Sequence, residues 1–226
     1  SSKAPNNNFN LLQSSYIQYN WSNDFSNVLT NTLQAAVDTK WLNASVQLTT
    51  IDNFLYFKDS AVLENQQIIK PFQYNKAINY VSARINKEIT FRKFGLDATV
   101  LYQKVDQSDA VLNLPEVTLR STIYYKNKFF KSNLQLQTGF TINYFTSFYA
   151  NEFNPVVSEF FVQNQTQIGN FPLIDFFVNG RIRQTRIFFK AEHFNSSMTG
   201  NSFYTTPTLP YRDFVIRFGI AWNFFQ

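Results

Sequence analysis

Hydrophobic and polar residues alternate with a period of two along most of the chain, which is the pattern of β-strands. The clearest case is residues 213–226, where one face carries Phe214, Ile216, Phe218, Ile220, Trp222 and Phe224. Because successive side chains of a strand point to opposite sides, the other face is mixed and largely polar, with Arg217 on it. Such a long series of large apolar residues, rich in aromatics, favours a strand whose apolar face meets lipid.

The same alternation recurs in segments separated by turn signals. These cover roughly residues 9–21, 28–37, 41–50, 77–85, 96–103, 117–126, 134–148, 174–183 and 186–194. Most are long enough to cross a bilayer at a tilt, which takes about 9–11 residues. The sequence therefore predicts an all-β, antiparallel transmembrane β-barrel of the outer-membrane type, with about ten strands in this chain. We expect one barrel domain over residues 1–226, with 1–8 as a disordered or periplasmic lead-in.

The connections between these segments alternate in length. Short turns are predicted near residues 38–40, 91–93, 127–128 and 183–185, and longer links near 58–67, 106–115, 149–171 and 195–210. This is the layout of an outer-membrane barrel, with periplasmic turns and extracellular loops. A soluble sandwich or lipocalin-like barrel would instead need an apolar interior and a charged exterior. Here the polar faces are mostly Asn, Gln, Thr and Arg, which favours the membrane barrel.

Composition supports the same fold class and narrows the chemistry. Aromatic residues make up 18% of the 226 residues and charged residues 15%, whereas a soluble domain has about 25% charged. The sequence has no apolar run long enough for a transmembrane helix. The absence of cysteine excludes disulfides and thiol catalysis. The lysines and arginines behind the net charge of +5 are dispersed, so we expect no nucleic-acid partner. The polar start predicts a mature or truncated chain.

Charged residues on the polar faces are the candidates for the interior of the barrel. They are Arg84, Asp97, Arg120, Lys126, Asp175, Arg181, Arg183 and Arg217. In one interpretation they form ion-pair networks that fill a narrow interior. In the other, an excess of cations lines a constriction that favours anionic or neutral polar solutes. Ten strands alone would be nearly plugged, so a pore requires strands beyond those visible here.

Aromatic residues at strand ends are predicted to form the girdles at the two membrane interfaces. They are Tyr19, Trp21, Tyr102, Tyr125, Tyr144, Phe148, Trp222 and Phe224. The single histidine, His193, is expected on the apolar face near the outer rim. It lacks an aligned acidic or serine partner, so we predict no enzyme, metal site or cofactor.

The last hundred or so residues contain several distinctive stretches: residues 139–148, YANEFNP at 149–155, GNFPLID at 169–175, FFKAEHF at 188–194 and the terminal strand. In these stretches the chain resembles the putative porins of Bacteroidetes. That strand is also similar to those of TonB-dependent receptors, although Gln226 follows the aromatic Phe225. The resemblance implies that the barrel-assembly machinery reads this strand, with Phe218, Trp222, Phe224 and Phe225 as the candidate assembly signal. Because members of the family are much longer, it also implies a short relative or the C-terminal part of a larger barrel.

Two hypotheses for function follow. The first is a porin-like barrel in a Gram-negative outer membrane that passes small polar or anionic solutes by passive diffusion. The second is a non-conducting structural or accessory subunit of a larger outer-membrane complex, such as a secretion, uptake or assembly machine. The expected partners are the lipid bilayer and lipopolysaccharide, the barrel-assembly machinery during biogenesis, and, in the second hypothesis, other outer-membrane proteins.

Overall fold

A computed structural model describes residues 1–63, 66–198 and 203–222 of the chain. The strands are β1 (Ser2–Lys3), β2 (Leu11–Leu12), β3 (Trp21–Ser22), β4 (Val28–Asp38), β5 (Asn43–Asp52), β6 (Leu55–Leu63), β7 (Gln66–Gln73), β8 (Ile78–Phe91), β9 (Phe94–Asp106), β10 (Val117–Phe129), β11 (Leu134–Phe145), β12 (Glu152–Asn154), β13 (Glu159–Val162), β14 (Leu173–Ile182), β15 (Thr185–Glu192), β16 (Tyr204–Thr206), β17 (Leu209–Pro210) and β18 (Val215–Trp222). One short helix, α1 (Asn7–Asn10), and two 3₁₀ turns, Ile17–Tyr19 and Ser196–Met198, complete the described structure. None of these helical segments has the length and apolar content to cross a membrane.

The main sheet of the described chain has ten strands in the order β1-β4-β5-β8-β9-β10-β11-β14-β15-β18. Neighbouring strands are antiparallel throughout. The prediction of an antiparallel all-β fold with about ten strands is therefore confirmed. Among the described residues the sheet does not close, because β18 pairs with β15 alone and the far side of β4 pairs with just the two residues of β1.

The pairing register sorts the side chains into two faces. Directly paired residues lie on the same face of a sheet, and the rows Leu48–Val81 and Phe140–Phe176 are apolar. We call this side the apolar face, and its large side chains are exposed in the isolated chain, for example Phe218 at 81%. The opposite side, the polar face, carries the alternating Asn, Gln, Thr, Ser and charged residues, such as the row from Lys126 through Gln137 and Asn179. The predicted alternation thus extends across the whole sheet.

Short and long connections alternate as predicted. The short turns are residues 39–42, 92–93, 130–133 and 183–184, and they define the short-turn end of the sheet. The long connections, 53–77, 107–116, 146–172 and 193–214, define the long-loop end. Strand β4 runs from the long-loop end to the short-turn end, so residues 1–27 lie at the long-loop end. The expected disorder of residues 1–8 is wrong, because Ser2 and Lys3 pair with β4 and Asn6 caps α1. Their expected periplasmic location stays a prediction.

The long connections fold into a second layer, which we call the loop layer. Strands β12, β13, β6 and β7 form a four-stranded sheet in which β13 and β6 are parallel. Its core is Tyr19, Phe57, Ile69 and Phe161, with Phe9, Leu12, Trp21 and Val157 packed around it. Residues 9–21 were predicted to form a membrane strand and instead cover this core. The physical reason is that their aromatic side chains find long-range partners in two loops, which the local alternation does not reveal.

The loops also pack against the polar face at the long-loop end. Ile51, Ile78 and Val105 lie on that face, and a second core joins them to Tyr74 and Val111 of the loops. Farther along the sheet an aromatic series continues the contact, in the order Phe145, Phe171, Phe203, His193 and Tyr211, with ring centroids 4.3–5.9 Å apart. The loops therefore cover part of the polar face at the long-loop end and leave it open towards the short turns.

Candidate functional site

Uncompensated cations on the polar face form the most distinctive polar feature of the sheet. We call Arg120, Lys126, Arg181 and Arg186 the basic cluster. Within the described residues no carboxylate lies within 4 Å of any of them, by the ion pairs that the structure contains. Arg181 on β14 is directly opposite Arg186 on β15. Like charges directly opposite each other destabilise a sheet, so this pair is a cost that folding alone does not explain.

The basic cluster borders two concave regions of the polar face. One, of about 490 Å³, is lined by Lys126, Arg181 and Arg186 together with the amides of Gln135, Gln137 and Asn179. The other, of about 580 Å³ and closer to the long loops, is lined by Arg120, Asn143, Asp175, Lys190 and Arg212 among others. Cationic, amide and hydroxyl groups in such a surface can form hydrogen bonds with polar solutes in place of water, and the cations can attract anions.

A compact ion-pair network lies on the polar face at the long-loop end of β15 and β18. The Glu192 carboxylate contacts Lys190 Nζ at 3.0 Å, Arg212 Nη2 at 2.7 Å and Arg217 Nε at 3.0 Å. Lys190 Nζ also contacts Asp175 Oδ2 at 3.0 Å. The Glu192 side chain is 7% exposed, whereas its three partners are 37–55% exposed. Here the ion-pair interpretation of the polar residues applies, and at the basic cluster it does not.

A polar hollow also lies in the loop layer, outside the main sheet. It has a volume of about 700 Å³ and is lined by Tyr56, Lys58, Asp109, Glu152 and Asn164 among others. Burial raises the pKa of the Tyr56 phenol above its usual range, and the negative charge of Asp109 adds to the effect. Asp109 itself forms an exposed ion pair with Lys76 at 3.3 Å. The Asp109 side chain is therefore largely solvated.

The family model described as putative porin matches residues 1–226 of the chain. This chain belongs to the putative porin family. The resemblance predicted from the last hundred or so residues is thereby confirmed and extends over the full 226. The Bacteroidetes origin that it implies stays a prediction. No curated protein matches the chain.

A solved structure with a similar fold is the FrpB iron transporter from Neisseria meningitidis, in its F3-3 variant. The two chains are 13% identical, with a TM-score of 0.54. The similarity covers 88% of this chain and 31% of that chain, so this chain spans less than a third of the transporter's length. At this identity the likeness shows the fold alone, an antiparallel sheet of the outer-membrane barrel type. Membership of the family supports a porin-like role in an outer membrane.

Within this putative porin, most residues predicted to line the interior lie on the polar face. These are Arg84, Asp97, Arg120, Lys126, Asp175, Arg181 and Arg217. Arg183 does not, because β14 ends at Ile182 and Arg183 occupies the following turn with a φ of 51°. The fold brings Asp175 and Arg217 into the Glu192 network, while Arg84 and Asp97 lie apart from it. Whether these residues line a lumen remains a prediction.

Two residues that contact other residues of the polar face were not predicted from the sequence. The Tyr124 ring lies over Gly95, where any Cβ would clash with it, and its hydroxyl donates to Glu88. Arg212 lies in a loop, yet its guanidinium pairs with Glu192 and its carbonyl oxygen is 2.7 Å from His193 Nδ1. A glycine interrupting a strand was the available signal for Tyr124. Nothing in the local pattern marked Arg212.

The predicted aromatic girdle is partly wrong. Tyr102, Tyr125, Tyr144 and Trp222 lie on the apolar face near strand ends. Tyr19 and Trp21 instead belong to the loop layer, and Phe148 pairs with Ile168 in an isolated bridge beyond β11 and packs against Phe145. Of the candidate assembly signal, Phe218 and Trp222 are on the apolar face of β18, and Phe224 and Phe225 lie outside the described residues.

His193 is a buried residue of the loop contacts. It is 2% exposed, follows the end of β15 and has a φ of 52°. Its backbone N–H donates to Asp175 Oδ1 at 2.9 Å, and its ring packs edge-on against Phe203. The expected position on the apolar face is wrong, because His193 follows the end of β15 and packs among loop aromatics on the side of the polar face. Across the described residues no group of three His, Cys, Asp or Glu side chains is placed to hold a metal ion.

Proposed function

We propose that this chain forms part of the wall of an outer-membrane pore that passes small polar or anionic solutes by passive diffusion. The observation that carries the proposal is the uncompensated Arg181–Arg186 pair on the polar face of the sheet. A face that only filled a narrow interior would gain stability from carboxylate partners, as the Glu192 network does. Cations kept without such partners can instead attract mobile anions.

The two faces of the sheet would have different roles in the pore. The apolar face, with residues such as Phe140 and Ile123, would contact lipid. The polar face would offer amide, hydroxyl and cationic groups to the solute in place of water. The loop contacts over Ile78 and His193 would narrow the passage at the long-loop end. Transport by this mechanism requires no catalysis, cofactor or energy input.

A continuous lumen also requires further strands. In the described chain nine strands of the main sheet have 8–14 residues, and both outer edges lack full partners. Barrels of about eight strands have interiors filled by side chains, whereas aqueous channels appear at about sixteen. We propose that strands beyond those described here pair with β4 and β18 and complete the wall.

Single-channel recording in a planar bilayer tests this function. We expect steady open steps and a reversal potential that indicates anion preference under a potassium chloride gradient. The double variant Arg181→Gln with Arg186→Gln should shift the reversal potential towards zero. The matched control, Arg92→Gln with Lys93→Gln, removes the same charge from a short turn and should leave selectivity unchanged. Silence from a folded, heat-modifiable protein would refute the pore, and equal effects of the two variants would refute the role of the basic cluster.

A second candidate function rests on the loop layer. A barrel does not need ordered loops to form its wall. Here, however, β12, β13, β6 and β7 form a sheet that shares a core with residues 9–21. Such an ordered surface suits an accessory subunit that docks other outer-membrane proteins. Co-purification in a fixed ratio with envelope proteins, lost when residues 152–162 are replaced by a glycine-serine linker, would support this function. Purification as a lone conducting protein would oppose it.

A further inference from the structure

Every short turn of the main sheet carries a basic residue. Lys40 lies in the first turn, Arg92 and Lys93 form the second, Lys131 lies in the third and Arg183 in the fourth. We call these five residues the turn cations. They are exposed, and Arg92, Lys131 and Arg183 have φ values of 51–54°. A non-glycine residue at positive φ carries a backbone penalty that glycine would avoid, so this choice of side chain is not dictated by the turn.

Acidic residues are missing from the same turns. Residues 39–42, 92–93, 130–133 and 183–184 contain no Asp or Glu. Across the described residues the turn cations take part in none of the ion pairs. The acidic residues of this end, Asp38, Glu88 and Asp97, lie on the polar face, and Glu88 and Asp97 bind Tyr124 and Asn86 there. The rim towards the apolar face is therefore positively charged.

Large aromatic side chains lie exposed at the same level. Trp41 is 81% exposed, Phe91 69% and Phe130 77%. Two of them stack with cations: Lys87 Nζ lies 5.8 Å from the Trp41 ring centroid, and the Arg92 guanidinium lies 5.4 Å from that of Phe91. Lys87, the cation beside the Trp41 ring, is in register with the apolar face. Exposed rings beside cations suit the boundary between hydrocarbon and head groups.

We propose that the turn cations and the neighbouring aromatics bind the phosphate head groups of anionic phospholipids in the leaflet at the short-turn end. Ammonium and guanidinium groups pair with phosphate oxygens, and arginine does so through two parallel hydrogen bonds. The aromatic rings occupy the adjoining interface. An acidic protein partner would account for the cations but not for the apolar surface that continues from the rings along every strand. The inference rests on the proposed insertion in the outer membrane, and it does not depend on an open pore.

The opposite end of the molecule differs in charge. It carries four exposed lysines, but seven acidic residues accompany them: Asp24, Asp59, Asp106, Asp109, Glu116, Glu152 and Glu159. The long-loop end would therefore attract anionic head groups less than the short-turn end, whose turns contain no acidic residue. This asymmetry assigns the lipid preference to one leaflet.

Quenching of tryptophan emission by brominated lipids measures the preference. The protein is reconstituted in phosphatidylcholine vesicles containing brominated phosphatidylglycerol or brominated phosphatidylcholine. Each basic residue near an anionic surface contributes about fivefold to binding. We expect at least a fivefold preference for phosphatidylglycerol, weakened by high salt. The variant Lys40→Gln, Arg92→Gln, Lys93→Gln, Lys131→Gln should lose it.

A matched control removes the same charge from the other end. The variant Lys3→Gln, Lys58→Gln, Lys70→Gln, Lys76→Gln changes four exposed lysines at the long-loop end and should keep the preference. Equal loss in both variants, or no preference in the wild-type protein, would overturn the proposal. Displacement by millimolar inorganic phosphate would indicate a site for the free ion, and equal competition by lipopolysaccharide would overturn the leaflet assignment. If the fourfold variant does not fold, Lys93→Gln with Lys131→Gln should show a partial loss. If the protein prefers phosphatidylglycerol but shows no channel steps in planar bilayers, the pore proposal is refuted and the lipid proposal is not.

Discussion

Replacing Glu192 by glutamine tests the energetics of the polar face. The substitution keeps the shape of the side chain and removes the charge that three cations share. The carboxylate is 7% exposed, and its contacts are 2.7–3.0 Å long. Exposed ion pairs contribute about 0.2–1 kcal/mol each, and breaking a buried pair costs about 3–5 kcal/mol. Because the cations are themselves 37–55% exposed, water can partly rehydrate them. Three contacts at about 0.7 kcal/mol each give an expected loss of about 2 kcal/mol.

Equilibrium urea unfolding in lipid vesicles, followed by tryptophan emission, measures this loss. Asp109→Asn is the control, because the Lys76–Asp109 pair is 3.3 Å long with side chains 53% and 66% exposed. It should cost less than about 0.5 kcal/mol. Glu192→Gln also leaves Arg212 and Arg217 without their carboxylate, so anion preference should rise while stability falls. A change in the free energy of unfolding below about 0.5 kcal/mol, or an equal change in the control, would show that the three ion pairs of Glu192 do not stabilise the fold as argued.

Four further substitutions test the two faces and the loop layer. Phe140→Arg on the apolar face should cost about 2–4 kcal/mol in lipid, and Thr141→Arg on the polar face less than about 1 kcal/mol; equal costs in urea unfolding would contradict the assignment of faces. Gly95→Val would displace the Tyr124 ring and should cost about 1–3 kcal/mol in the same assay, whereas unchanged stability would show that the ring does not need that space. Phe57→Ala opens a cavity in a core where Phe57 is 2% exposed, and we expect a local loss of about 3–5 kcal/mol. Limited proteolysis should then cut residues 146–172 faster with the strands intact, and unchanged cleavage would argue against a shared core.

The sequence identified the charged residues of the polar face but not which of them are neighbours. The register between the strands supplied that information. The ion-pair interpretation of the charged residues applies to one part of this face and not to another. Asp175 and Arg217 join an ion-pair network, and Arg181 faces another cation across the strands. Parity along one strand assigns a side chain to a face. Its neighbours on that face come from the adjacent strands, and their register is a property of the pairing.

Local alternation was sufficient to determine the long strands, their two faces and the sequence of short turns and long loops. These features depend on the pleat, which repeats every two residues and is visible within a single segment. It failed for residues 9–21, where Tyr19 and Trp21 alternate like a strand but pack against Phe57. The loop layer, the narrowing of the polar face and the Glu192 network join residues distant in sequence. Their formation depends on which side chains the folded sheet brings within contact distance, and that was decided by the tertiary structure alone.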